Sequence, residues 1–454
     1  MVWMQSRYLR PRREMKTKSK IALIIILLLA AFLRLGSLWY VEFKNDEANN
    51  SFLAVDFIYK GIFPLAGNVS SAGGYHPPMF TYLLAPSFLL SKNPVAVCGY
   101  IALLNILAVY LCFLFCREFF NERAALIASA FFAVNPWVIL NSRKIWSYDL
   151  MYLFIIAFFY TLYKVIFKRQ KKFILLSFLF LAIFTQLHLT SISYVYIFFL
   201  ALIISKPKIK PVYYLAGAGI FLLLYSPYIT YDIKNHFCNL EVLLRYSKLP
   251  AKVNLYSFFY FFKLATTRGF IHSFYFPILD RFTELLLAGA IVYLLCHLTN
   301  KKYLFLLFWA FIPVISLSLS KIPPAIWYFN SLFPIQFILM GVAADIIIKK
   351  FKNKFTLFKY IILATLLILV FYQLGCSFNF FNNYIKGQKN VLWMGYGPPF
   401  KYRVDEIKQI MKAGCRDPWE IHQKIAGNKN SQARFKYDFG ATKYIVENID
   451  SISP

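Results

Sequence analysis

Acidic residues are scarce in this chain: 20 Asp and Glu stand against 50 Lys and Arg, and charged side chains make up only 15% of its 454 residues. Soluble domains carry about a quarter charged residues. A chain so poor in charge and 59% hydrophobic is therefore not an ordinary soluble protein. Cysteine supplies no framework either. Cys98, Cys112, Cys116, Cys296 and Cys376 lie in apolar stretches without metal-ligand or disulfide spacing. Cys238 and Cys415 fall in more polar segments, where a disulfide and two free thiols are equally open. Internal repeats and low-complexity linkers are also lacking.

What is present is a series of apolar blocks. Stretches such as 21–33, 155–165, 173–184 and 360–372 carry almost no charge on any face. That excludes amphipathic surface helices and fits helices embedded in lipid. The net charge of +30 invites a nucleic-acid reading, but the basic residues do not form one stripe. They cluster between the apolar blocks, over 7–20, 168–172, 206–210, 301–302 and 349–354. Such clusters mark cytoplasmic loops of a membrane protein, and no nucleic-acid partner is expected.

About eleven spans of roughly 20 residues each follow, near 21–40, 94–116, 124–140, 149–167, 173–187, 189–205, 212–231, 282–298, 303–320, 325–348 and 358–377. With the basic N-terminus in the cytoplasm, every later basic cluster is cytoplasmic too. The first span has no small-residue cleavage site after it and reads as uncleaved. The expected architecture is all-α and polytopic. A cytoplasmic tail covers 1–20, a transmembrane domain 21–378, and an outside α/β region 379–454. Outside loops fall near 41–93, with helices at 47–60 and 77–91, and near 232–280. In the tail, 404–413 has helical periodicity, Asp417-Pro418-Trp419-Glu420 reads as a helix start, and 441–447 reads as a short strand.

Polar groups at the outer boundary carry the functional signal, because an ionisable residue at that depth is costly unless it has a partner or a task. Asp46 and Glu47 follow the first span. They suit deprotonation of an acceptor hydroxyl or coordination of a cation, and equally the first turn of a helix. Arg34 either snorkels to the interface or meets a lipid phosphate. Tyr75-His76-Pro77-Pro78 fixes a His at the start of a helix, where it can donate to a phosphate or a leaving oxygen. Arg143 and Lys144, in the turn that ends at Tyr148-Asp149, break the positive-inside pattern. Phosphate binding and neutralisation by Asp149 both account for them. His188, Arg268, His272 and Lys321 reach the same side.

These residues resemble the GT-C membrane glycosyltransferases. The resemblance rests on an acid pair after the first span (Asp46, Glu47), on His76-Pro77-Pro78 opening a helix, and on Arg143 with Tyr148 at a later outside turn. The nearest groups are the protein O-mannosyltransferase and aminoarabinose transferase superfamily and its bacterial lipopolysaccharide-core sugar transferases. His188 is similar to a family His at the end of a later span. Trp327-Tyr328-Phe329 resembles an Arg-Tyr segment, except that Trp327 stands where the family commonly has Arg.

The resemblance implies an inverting transfer of sugar from a polyprenyl-phosphate donor to an acceptor hydroxyl of a lipid, glycan or protein at the outer face of the cell membrane. By the same resemblance Asp46 activates the acceptor, with Glu47 in support. Arg34, His76, Arg143, Lys144, Arg268 and Lys321 are expected at the donor phosphate, and Tyr75, Tyr148, His188 and Tyr328 around the substrate. No cofactor is required on this reading, although Asp46 and Glu47 are placed to share a divalent cation. A lipid-linked glycan polymerase or ligase, and a lipid or glycan transporter or flippase, are the alternatives.

Overall fold

The computed structural model of the protein describes residues 15–70, 73–248, 253–270, 273–320, 325–351, 356–387, 397–428, 431 and 438–452. Regular structure among these is helical, apart from isolated bridges between Glu42 and Pro399 and between Val69 and Tyr75. The first half comprises α1 (Thr17–Leu35), α2 (Asn45–Lys60), α3 (Met79–Leu90), α4 (Pro94–Phe119), α5 (Glu122–Val134), α6 (Pro136–Leu140), α7 (Met151–Lys168), α8 (Phe173–Leu187), α9 (Ser193–Ser205) and α10 (Pro211–Lys234). Then come α11 (Cys238–Ser247), α12 (Tyr256–Lys263), α13 (Pro277–Leu295), α14 (Lys301–Ser318), α15 (Phe333–Phe351), α16 (Thr356–Asn379) and α17 (Ile385–Gly387). The chain ends in α18 (Phe400–Lys412), α19 (Pro418–Gly427) and α20 (Phe439–Glu447).

Each apolar segment expected from the sequence holds a helix, and among the described residues six helices are long and apolar enough to cross a membrane. The protein is a multi-pass membrane protein. Two expectations need correction. The segment 124–140 is not one helix, because Asn135 adopts an extended conformation and its side chain accepts from Val138 N at 3.1 Å. Pro136, lacking an N–H, then starts α6. The tail is not α/β among the described residues. Residues 441–447, expected as a strand, lie in α20, with Ala441, Tyr444 and Ile445 buried at helical spacing. Burial of that stripe overrides the strand preference of Tyr, Ile and Val. By contrast the Asp417 cap forms as expected, accepting from Glu420 N at 2.8 Å.

At the centre, α5 packs between α4 and α15. Small residues permit the approach: a Cβ on Gly341 of α15 would fall 2.4 Å from the Ala124 carbonyl oxygen of α5. At the periphery, α10 buries only Gly217, while Leu215, Leu222, Leu223, Ile229 and Ile233 are exposed. An apolar helix so bare of protein has lipid for its surroundings. Its contact with α8 includes a notch, where a Cβ on Gly217 would strike the Phe178 ring at 2.1 Å.

The two ends of the bundle differ in character. Ser19 bonds Glu122, Lys168 pairs with Glu118, Lys302 reaches the Phe119 carbonyl, and Lys349 pairs with Asp345. Lys168, Lys302 and Lys349, from three of the basic clusters, are thereby gathered at one end. The loop carrying α2 and α3 lies at the other, with α18 to α20 against it.

Candidate functional site

The polypeptide leaving α1 bends sharply and starts α2 at Asn45. Lys44, the residue before that helix, donates its backbone N–H to Glu47 Oε2 at 2.9 Å. This is one half of a capping box. Successive helical residues point about 100° apart. Asp46 is consequently exposed, while Glu47 turns inward and is buried. Burial, Glu42 and Asp46 raise the Glu47 carboxyl to about 8, with Lys44 and Lys144 opposing.

Glu42 was not singled out from the sequence, yet it organises the loop. It is 1% exposed and takes ion pairs from Lys144 and, at 3.4 Å, from Lys44, plus the Gly397 N–H. Burial pushes its carboxyl up, but Lys144 and Lys44 outweigh that and hold it below its ordinary value. The signal available beforehand was its position: Glu42, Lys44, Asp46 and Glu47 follow a span within six residues.

Beside Asp46 stands a stack of rings. A turn closed by bonds from Gly67 N to His76 O (2.7 Å) and from His76 N to Asn68 O (2.9 Å) presents His76, and Pro77-Pro78 lead into α3. The His76 ring lies 6.0 Å from His188, which is tilted against Tyr148 at 4.3 Å and stacked on Tyr328 at 5.2 Å. Trp146 meets Tyr148 at 4.8 Å and Trp327 at 5.4 Å. Burial lowers the proton affinity of His76, with Asp46 opposing, and burial with His76 lowers that of His188 much further. Thr190 engages His188 Nδ1 through both its Oγ1 at 2.9 Å and its N–H at 3.2 Å, which leaves Nε2 as the ring nitrogen without a Thr190 contact. Burial also raises the Tyr148 phenol, and Asp46 adds to it. The structure therefore brings Asp46, His76, Tyr148, His188 and Tyr328 to one place. Tyr75 is at its rim, with its N–H on Asn239 Oδ1.

The expected cations fall out differently. Arg34 is fully buried and gives its guanidinium to the carbonyls of Ala133 (2.8 Å) and Phe132 (3.1 Å) at the end of α5. A phosphate does not reach it there; the residue ties α1 to α5. Arg143 is 3% exposed and donates to the carbonyls of Leu33, Gly36 and Ser37, the closest at 2.7 Å. A guanidinium with its fan of donors suits the orphan carbonyls of a helix end. Arg268 pairs with Glu284 of α13 at 3.0 Å. Lys144 pairs with Glu42 and borders a shallow cleft with Trp137, Leu140, Asn141, Trp146, Ile326 and Trp327. Lys321 and His272 lie outside the described residues.

Asp46 and Glu47 do not converge as a cation site would need, since one faces out and the other in. No group of three His, Cys, Asp or Glu able to hold a metal occurs among the described residues.

Residues 75–231 match the family model described as dolichyl-phosphate-mannose-protein mannosyltransferase. Among solved structures, ArnT from Cupriavidus metallidurans bound to undecaprenyl phosphate aligns over 97% of this chain and 90% of its own, with TM-score 0.59 and 12% identity. The Archaeoglobus fulgidus oligosaccharyltransferase in complex with Zn and sulfate aligns over 89% of this chain and 56% of its own, with TM-score 0.53 and 14% identity. The archaeal oligosaccharyltransferase AglB from Archaeoglobus fulgidus, in complex with an inhibitory peptide and a dolichol-phosphate, gives TM-score 0.51 at 13% identity over 90% of this chain and 59% of its own. This chain thus spans little more than half the archaeal enzyme. No curated protein matches. The GT-C likeness read from the sequence is borne out by this fold and by the matched segment.

Proposed function

We propose that the protein is an inverting glycosyltransferase that moves a sugar from a polyprenyl-phosphate donor to an acceptor hydroxyl. The observation that carries the reading is Asp46: an exposed carboxylate in the first turn of α2, beside His76 and Tyr148, in a fold shared with a protein bound to undecaprenyl phosphate.

In the reaction the Asp46 carboxylate accepts the proton of the acceptor hydroxyl as that oxygen attacks the anomeric carbon. The bond from that carbon to the phosphate oxygen breaks on the opposite face, and its electron pair leaves with the lipid phosphate. Configuration at the carbon inverts. A phosphate is a good leaving group and needs hydrogen-bond donors more than an acid. His76, held neutral at pH 7 by burial, supplies an N–H at the lip of the site. Tyr148, His188 and Tyr328 give flat surfaces against which a sugar ring packs. His188 Nε2 meets one hydroxyl, since Thr190 occupies Nδ1. Lys144, already neutralised by Glu42, borders the adjoining indole-lined cleft and donates without adding net charge. Arg34 and Arg268 take no part, and Arg143 acts by holding the end of α1.

The basic end of the bundle faces the cytoplasm on the positive-inside rule, which puts Asp46 on the outer face. The donor's phosphate then lies at the membrane boundary with its tail in lipid.

Asp46→Asn tests the reading. General-base catalysis is worth about 10²–10⁴-fold, so transfer from undecaprenyl-phosphate-linked sugars should fall by at least about a hundredfold. Purified Asp46→Asn protein should still carry polyprenyl phosphate when its extracted lipids are analysed by mass. Retained activity removes Asp46 from the chemistry.

A further inference from the structure

The N-terminus of α2 has only the Glu47 half of a capping box. Lys44 occupies the capping position, and an ammonium cannot accept a hydrogen bond. The missing acceptor comes from the far end of the chain: Asp438 Oδ1 takes the Asn45 N–H at 3.2 Å. Asp438 is itself the residue before α20, and it does not cap that helix. Instead Asn45 Oδ1 accepts from Gly440 N at 2.9 Å. Each helix is thus capped by the residue that opens the other.

The exchange is built in. Asp438 is 2% exposed and is ion-paired to Arg403, equally buried, on α18. A Cβ on Gly440 would lie 2.8 Å from Asn45 Oδ1, so any larger residue there displaces the amide oxygen from that bond. Phe43 and Phe52 close on Tyr444 from either side of the junction, at 5.5 and 5.0 Å. Upstream, Gly397 N donates to Glu42 and Phe400 N to the Val41 carbonyl at 2.8 Å. Residues 41–45 are therefore strapped by 397–400 and 438–440 along their whole length.

We infer that the C-terminal helices are a positioning element for the carboxylate on α2, and that the reciprocal caps between Asn45 and Gly440 and between Asp438 and Asn45 fix where Asp46 stands. This rests on the reading of Asp46 as the base. Asp438, Arg403, Asn45 and Gly440 touch no substrate; they act through the first turn of α2. An orphaned first turn frays, and Asp46 is in it.

Replacing Asp438 or Arg403 strands a buried charge and risks misfolding, so the test uses the milder side of the exchange. Asn45→Ala removes the acceptor for Gly440 N and so loosens the start of α20, where Asp438 holds the Asn45 N–H of α2; Gly440→Ala pushes that acceptor away, and Asn45→Asp keeps it. All are made in the full-length protein in lipid nanodiscs. They are assayed with whichever undecaprenyl-phosphate-linked hexose or pentose supports turnover by the unmodified protein. Amide hydrogen exchange over 45–48 is followed in parallel.

A displacement of a reacting group by about 1 Å can cost up to a hundredfold. Both alanine variants should therefore lose about tenfold or more in kcat, with donor KM and unfolding midpoint unchanged and faster exchange over 45–48. Asn45→Asp should restore kcat. Full kcat in both alanine variants overturns the inference, as does a loss that tracks the unfolding midpoint and is not restored by Asp. An active Asp46→Asn enzyme instead overturns the catalytic reading, which separates the two failures.

Discussion

At neutral pH the buried Glu47 carboxyl is held largely as the acid, and Glu47→Gln should for that reason stabilise the protein in alkali. The site is 2% exposed, and burial, Glu42 and Asp46 raise the carboxyl from 4.5 to about 8 against the pull of Lys44 and Lys144. Its proton is bound more tightly in the folded chain than in the unfolded one. The stability linked to it is then complete below pH about 4.5 and is lost as pH rises through about 8. Each tenfold in proton affinity is worth about 1.4 kcal/mol, so the whole window amounts to roughly 5 kcal/mol. Glutamine keeps an oxygen for the Lys44 N–H and cannot ionise. Thermal unfolding of the detergent-solubilised protein, read by tryptophan fluorescence from pH 5 to 9, should give nearly equal midpoints at pH 5. Between pH 7 and 9 the variant should exceed the parent by several degrees. Parallel curves across that range, or a variant weaker at every pH, would refute the buried-acid assignment.

Other outcomes follow from single contacts. Glu42→Gln leaves Lys144 buried against an amide, and breaking one side of such a pair costs about 3–5 kcal/mol. Adding Lys144→Met to that variant should recover most of the loss in a denaturation assay. Gly341→Ala forces α15 away from α5 and should cost about 1–3 kcal/mol, read as a lower unfolding midpoint with the membrane-inserted yield as control.

The apolar blocks reveal most of the helix positions because lipid rewards unbroken hydrophobicity, and 173–187 falls on α8 to the residue. The break at Asn135-Pro136 was legible in principle, since Asn before Pro caps a helix, but continuous hydrophobicity on both sides masked it. Asp46, His76, Tyr148, His188 and Tyr328 could be gathered from spacing and resemblance. The fate of Arg34 and Arg143 could not. A cation at the membrane boundary fits a phosphate and a helix end equally well, and only three-dimensional neighbours distinguish them. The role of Asp438 was equally hidden, because its partner Asn45 is almost the whole chain away and no local pattern announces it.

α10 lies along α8, where Gly217 faces Phe178, Gln186 reaches the Leu224 carbonyl and the Tyr225 hydroxyl meets Thr185, and beyond them its Tyr228 hydroxyl donates to the Tyr75 carbonyl at 2.8 Å. That last bond ties the residue preceding His76 to a helix whose outer face is bare of protein, so the polar rim and the lipid-facing surface share one hydrogen-bonded seam.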